Sequence, residues 1–258
     1  MTTLVSKTGV EIEIPEIHPV EAGGPRRWLA RGWEDLQACA GLSLSLGLVF
    51  VAVGYAMTYL AWQESWAVLA AISGFLLVAP FLAMVFYCTS RAREQGRSST
   101  LREGLTCWRG NGRSVFLYAL LLTLVLIAWA RFSSLATALS AYALGGGMPV
   151  TFEQVLGTVQ GWVYVWLYLL AGLGLAAAVF LGSVVTPQLM IDRKADPITA
   201  VVTSIRVVVK NPRLMLTWAG LIAGLTLLGM ATAYLGLVVI FPWLGHASWH
   251  AYRDLVKA

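Results

Sequence analysis

Charged side chains are scarce in this sequence. Only 12% of its 258 residues are Asp, Glu, Lys or Arg, against about 25% in soluble domains. Cysteine is scarce too, and odd in number: Cys39, Cys88 and Cys107 form no CxxC pair. All three fall in segments that the charge pattern below assigns to the cytoplasmic face, where thiols stay reduced, so no disulfide framework is expected. The first 25 residues lack the apolar core and small-residue cleavage site of a secretory leader. They are instead acidic and proline-containing, with Glu11, Glu13, Pro15, Glu16, Pro19 and Glu21. Gly-rich phosphate loops, a nucleophile elbow and an HExxH zinc helix are also missing. The chain is therefore not expected to be an enzyme.

What is abundant is apolar surface. Hydrophobic residues make up 58% of the chain, more than one core of this size can hide, and they come in long charge-free blocks that read as membrane spans. The net charge of +5 does not point to nucleic acid, because the basic residues form no domain of their own. They sit between the apolar blocks, where they orient a chain in a membrane.

A hydrocarbon core about 30 Å thick needs roughly 20 helical residues to cross it. Spans are expected at about 41–61, 66–89, 114–131 and 161–189. The stretch 214–245 carries no charge. It is long for one span and short for two, but apolar character resumes through Trp249 and Tyr252, so two spans are assigned, 214–230 and 233–252. With six spans and a cytoplasmic N-terminus, all 18 basic residues except Arg131 lie on the inner side, as the positive-inside rule requires. Five spans would export Arg253 and Lys257. Trp62, Trp66, Trp129, Trp162 and Trp166 then mark the outer boundary, and Trp28, Trp33, Trp108, Trp218 and Trp249 the inner one.

The expected fold is an all-α polytopic membrane protein: six transmembrane helices in three pseudo-repeated hairpins, each preceded by a cytoplasmic amphipathic helix. Residues 1–25 form a flexible cytoplasmic tail and 26–258 a single transmembrane domain. The surface helices start at Arg26, with Leu29, Trp33, Leu36 and Ala40 on one stripe; at Thr100, where Glu103 completes a capping box; and at Asp196–Pro197, a cap followed by a first-turn proline. The third stripe is Ile198, Val201, Val202, Ile205, Val208 and Val209, spaced by three and four, and is expected to face lipid or the spans. The second span of each pair carries a proline, Pro80, Pro187 and Pro242, expected to kink its helix.

Four stretches resemble a bacterial family of predicted integral membrane proteins of unknown function: RRWLARGWEDL (26–36), SGFLLVAPFLAMVFY (73–87), DPITAVVTSIRVVVKNP (196–212) and FPWLGHASWHAYRDLV (241–256). The last is the most specific. Some members of that family carry a provisional label of cytochrome c oxidase subunit. The resemblance implies an inner-membrane location and no defined activity.

His246 and His250 are the sharpest candidates for chemistry. A spacing of four puts both imidazoles on one helix face, which suits a metal or a haem iron. They equally suit polar interface residues at the end of the last span, and the want of a third ligand favours that reading. No cofactor is expected; haem or copper is the alternative. Gly174, Ala178 and Gly182, and Gly220 with Gly224, have the small-residue spacing that lets membrane helices approach closely. Glu11–Ile14 alternates and would suit strand addition to a partner, although such an acidic tail favours disorder. Ionisable residues at bilayer depth, which mark pumps and coupled transporters, are nearly absent. These features favour a scaffold or accessory subunit of a membrane complex in the bacterial inner membrane. Its partners are expected to be the lipid bilayer and a membrane protein or a second copy. A transporter or channel for a small or apolar solute is the alternative, supported by the repeat and the prolines.

Overall fold

The computed structural model describes residues 2–5, 11–63, 83–98, 100–146 and 152–256. Apart from one short hairpin the described chain is helical, and it divides into two compact units, residues 1–119 with 181–258, and residues 120–180. The helices are α1 Gly24–Ala38, α2 Ala40–Gln63, α3 over 83–94, α4 Leu101–Thr106, α5 Gly112–Gly145, α6 Phe152–Leu156, α7 Val159–Ser183, α8 Thr186–Asp192, α9 Pro197–Lys210, α10 Pro212–Ala231 and α11 Leu237–Leu255. A 3-10 turn, Cys107–Asn111, joins α4 to α5.

Among the described residues, three helical runs are long and apolar enough to cross a membrane: Leu101–Gly145, Val159–Asp192 and Pro212–Ala231. The pair α1–α2, bent by 100°, makes a fourth if counted as one span. Residues 64–82, with Pro80, lie outside the described residues, and with them most of the expected second span. The ambiguous stretch after 214 folds as two helices, α10 and α11. Their turn places Ala233 and Tyr234 at φ 51° and 66°, a left-handed conformation costly for residues with a Cβ. Tyr55 of α2 holds it there, donating its hydroxyl to the Ala233 carbonyl and meeting Tyr234 edge-on at 5.8 Å. α11 itself does not reach the apolarity of the three runs, because its second half is polar.

That half is the packing centre of the first unit. α11 buries Leu244, Gly245, His246, Ala247, Trp249, Ala251, Tyr252 and Leu255. Pro242 lies inside the helix; lacking an N–H, it leaves the Val238 carbonyl without its intrahelical partner. Gly47 of α2 lies against that same carbonyl, where a Cβ would collide with it. Gly32 of α1 meets the Ala247 backbone equally closely, and Gly245 takes the edge of Phe86 from α3. These three glycines make close helix approaches around α11, and Gly104 of α4 against Val85 of α3 and Gly229 of α10 against Leu237 make two more. A Cβ at Gly174, Gly220 or Gly224 would meet nothing within 4 Å, and at Gly182 only Val201 at 3.7 Å; Ala178 is exposed. Among the described residues, the expected small-residue stripes therefore mediate no close packing.

On α1 and α9 the faces packed on protein are set off from the apolar stripes. α1 buries Trp28, Gly32, Asp35 and Leu36 and leaves Trp33 exposed, because the close approach to α11 is possible only on the glycine's side. Trp28, Trp218 and Trp249, expected at the headgroups, are fully buried, with Trp28 and Trp218 packed edge-on at 5.3 Å. α9 begins as expected, with the Asp196 carboxylate accepting from the Ile198 and Thr199 amides. Yet its packed face is Thr199, Ala200, Thr203, Ser204 and Val207, while Ile198, Ile205 and Val209 point outward. Thr203 and Ser204 bury without penalty because each hydroxyl reaches a carbonyl, Thr199 and Leu181 respectively, at 2.7 Å. The capping box at Thr100 and Glu103 is present in both directions. Pro187 sits in the first turn of α8, after a break in the helix at Ser183.

The tail residues Glu11–Ile14 pair antiparallel with the chain's own Thr2–Val5. From Ile17 onward the backbone is pinned: Ile17 bridges Val256, the His18 amide donates to Leu255 at 3.1 Å, and the Asn211 side chain holds Val20 and His18. In the second unit, Tyr168 of α7 packs on Trp129 and Phe132 of α5 and shares a 2.9 Å hydrogen bond with Ser133.

Candidate functional site

The most concentrated chemistry in the described chain is a buried polar network on α11. His246 is fully buried. Its Nε2 lies 2.9 Å from the Ser43 hydroxyl of α2, and its Nδ1 lies 2.8 Å from the Ser90 hydroxyl of α3. Asp35 of α1, also buried, receives His250 Nε2 at 2.8 Å on one oxygen and Arg93 Nε at 2.9 Å on the other. Burial alone would raise its pKa, but the hydrogen bonds from His250 and Ser90 outweigh that and hold the carboxyl below its ordinary value.

Each ring nitrogen of His246 therefore faces one serine hydroxyl, Ser43 or Ser90, and each carboxylate oxygen of Asp35 faces one basic side chain, Arg93 or His250.

The serine–imidazole–serine arrangement resembles a proton relay in outline, yet neither described cavity is lined by Ser43 or His246. A metal or haem iron would have to displace a serine from His246 and a carboxylate from His250. Among the described residues no group of three His, Cys, Asp or Glu side chains is placed to hold a metal ion. The two histidines thus share a helix face but engage different partners.

A second cluster sits one turn further along α11. Asp192, at the end of α8, receives the Tyr252 hydroxyl at 2.9 Å. It also lies 3.0 Å from Arg91 Nε, an ion-pair contact whose geometry is not aligned as a hydrogen bond. Arg253 reaches Asp192 at 3.5 Å and Glu94 at 3.0 Å, and Glu94 also accepts the Trp249 indole at 3.2 Å. At the far end of α11, Asp254 accepts the Trp28 indole at 2.8 Å, with Arg27 and Arg31 each 3.7 Å away. The stretch 241–256 thus joins α1, α2, α3 and α8 through polar contacts.

Sequence reasoning named His246 and His250 but missed Asp35, Ser43, Ser90, Arg93 and Asp192. One signal was available. Asp35 lies on the same helical face as Trp28 and Gly32, and a carboxylate on a packed face demands a partner.

The cysteines also depart from expectation. Cys88 of α3 and Cys107 of the 3-10 turn are joined in a disulfide, with Cα atoms 6.4 Å apart, inside the range such bonds span. Cys39 is free. Sequence spacing could not show this pairing, because the turn from α3 to α4 brings the two together.

No curated protein and no solved structure matches the chain. The family model described as predicted integral membrane protein (DUF2189) matches residues 68–192, a range that excludes the α1 and α11 halves of the buried network. Over those residues the chain is similar to this family of predicted integral membrane proteins of unknown function.

Proposed function

We propose that the chain is a six-span protein of the bacterial inner membrane with both termini in the cytoplasm, serving without catalysis as a scaffold or accessory subunit of a larger membrane complex. One observation carries this reading. The polar groups of the network are used up on one another, so they act as a lock between helices and leave no open first partner for a substrate. Buried polar networks with every member satisfied rigidify a fold. At the same time the apolar runs face outward: in Val159–Asp192 barely a tenth of the most apolar window is buried, 11%. Leu216 and Leu227 on α10 are likewise exposed, available to lipid or a partner helix.

In this reading α11 is the sixth span. Partnering its histidines within the protein lowers the cost of holding them at membrane depth. The three units of surface helix, span and proline-bearing span then begin at α1, α4 and α9.

Extraction of the tagged full-length chain from native membranes in mild detergent tests the role. A companion membrane protein, or a defined homo-oligomer, should co-purify in fixed ratio. A monodisperse single chain that carries solute flux in vesicles would overturn the scaffold reading in favour of transport. A C-terminal fusion to a reporter active only outside the cytoplasm should stay silent; activity would refute six spans.

A further inference from the structure

The disulfide lies outside the network and is not needed by the scaffold reading. Cys88 and Cys107 both line a surface cavity of about 250 Å³. Cys88 is buried, whereas Cys107 sits on the partly exposed 3-10 turn, so an attacking group reaches the Cys107 sulfur first. Two guanidinium groups share the cavity wall, Arg91 and Arg97. Arg91 is neutralised by Asp192. Arg97 donates to the neutral Gln95 side chain at 2.7 Å and, among the described residues, pairs with no carboxylate. Glu103, on the same wall, is committed to the capping box, accepting from the Thr100 amide at 2.9 Å. The cavity therefore presents a sulfur–sulfur bond beside a guanidinium that, among the described residues, is in ion-pair contact with no carboxylate.

The reduced state also has a place in this geometry. Cys107 Sγ lies 3.1 Å from the Gly104 carbonyl oxygen, to which a thiol at Cys107 would donate. A thiol at Cys107 thus has an acceptor within reach on its own segment. The segment belongs to the arginine-rich stretch between residues 91 and 113, which the proposed topology puts in the cytoplasm. Disulfides there are transient and serve redox sensing or catalysis.

We propose that Cys88–Cys107 is a reversible two-electron redox site that exchanges with a small anionic thiol entering this cavity, an inference that rests on the cytoplasmic placement above. The incoming thiolate attacks Cys107 Sγ. The protein S–S bond breaks, Cys88 leaves as a thiolate, and Cys107 carries the mixed disulfide. A second thiolate attacks the external sulfur of that mixed disulfide, releasing the small-molecule disulfide and the Cys107 thiolate. The two protons lost by the small thiols are taken up by Cys88 and Cys107. The protein gains two electrons and two thiol molecules are oxidised to one disulfide. Arg97 draws the anion in and favours each departing thiolate. The bond ties the turn to α3 one residue from Thr89 and two from Ser90, the partner of His246, so its reduction frees α4 from the helix that completes the network.

The test uses the full-length chain in lipid nanodiscs with Cys39→Ser, so that only the pair can react, and counts free thiols by maleimide mass-tagging after acid quench. In mixtures of reduced and oxidised glutathione the count should move reversibly between none and two. Arg97→Gln should slow reduction by glutathione by about threefold to tenfold, the scale of a single steering charge, while leaving reduction by neutral 2-mercaptoethanol unchanged. Thiols that stay free in oxidised glutathione, or a bond that survives excess reduced glutathione, would overturn the redox site. Equal slowing with both reductants would overturn the anionic-thiol assignment. Labelling of reduced intact spheroplasts with a membrane-impermeant maleimide addresses the compartment separately. Protection supports the inference, and reaction from outside would remove the cytoplasmic placement whatever the titration gives.

Discussion

Gly32→Ala is the sharpest test of the packing described here. The added Cβ would lie 2.6 Å from the Ala247 nitrogen and 2.8 Å from its Cα. Carbon contacts are comfortable near 3.5–4.0 Å, so α1 and α11 would have to part by about 1 Å. Because both contacts are backbone, no rotamer change relieves them. Overpacking of this kind costs about 1–3 kcal/mol. Separation also stretches the Trp28 indole bond to Asp254, worth about 1 kcal/mol. Against this, alanine gains about 1 kcal/mol over glycine inside a helix. The net expectation is a loss of about 2 kcal/mol. Trp28, Trp218 and Trp249 are all buried in this unit, so intrinsic fluorescence during denaturation of the purified protein in mixed micelles reports its opening. Gly220→Ala is the control, since a Cβ there meets nothing within 4 Å, and it should be neutral or stabilising by up to about 1 kcal/mol. If Gly32→Ala proves as stable as Gly220→Ala, the close crossing of α1 and α11 is wrong.

Three further outcomes follow from the network and its neighbours. Ser43→Ala and Ser90→Ala should each destabilise by about 1–3 kcal/mol, the cost of an orphaned buried imidazole nitrogen. The double variant should cost less than the sum, because both act on His246; strict additivity in the same denaturation assay would sink the chain of bonds. Asp35→Asn should lower stability and flatten its dependence on acid. The Asp35 pKa is held below its ordinary value, so its contribution is complete above about pH 3.9 and is lost as pH falls through the lower folded value. An unaltered acid limb in the variant would contradict this. On α9, Ser204→Leu should disrupt assembly, whereas Val209→Leu on the outward face should be silent by size-exclusion profile in detergent.

The membrane class, the apolar helices α5, α7 and α10, and the caps at Thr100 and Asp196 were legible from the sequence alone. Each depends on local composition or on spacing within one helix, which a linear chain displays directly. The same holds for the candidacy of His246 and His250, because a spacing of four suffices to put two rings on one face. What those rings touch was decided only by the tertiary structure. Ser43 and Ser90 are 203 and 156 residues away from His246, and nothing local marks them among the other hydroxyls. The faces packed on protein were likewise not readable from the apolar pattern. In water the apolar stripe of a helix turns inward, but beside lipid it gains nothing by doing so, and the side packed on protein is chosen by close approach and hydrogen bonding. That is why α9 buries Thr203 and Ser204 and shows Ile198 and Val209, and why Gly32, Gly47 and Gly245 carry the crossings that Gly220 and Gly224 were expected to make. The Cys88–Cys107 bond belongs with these, since it exists only because the chain turns between α3 and α4.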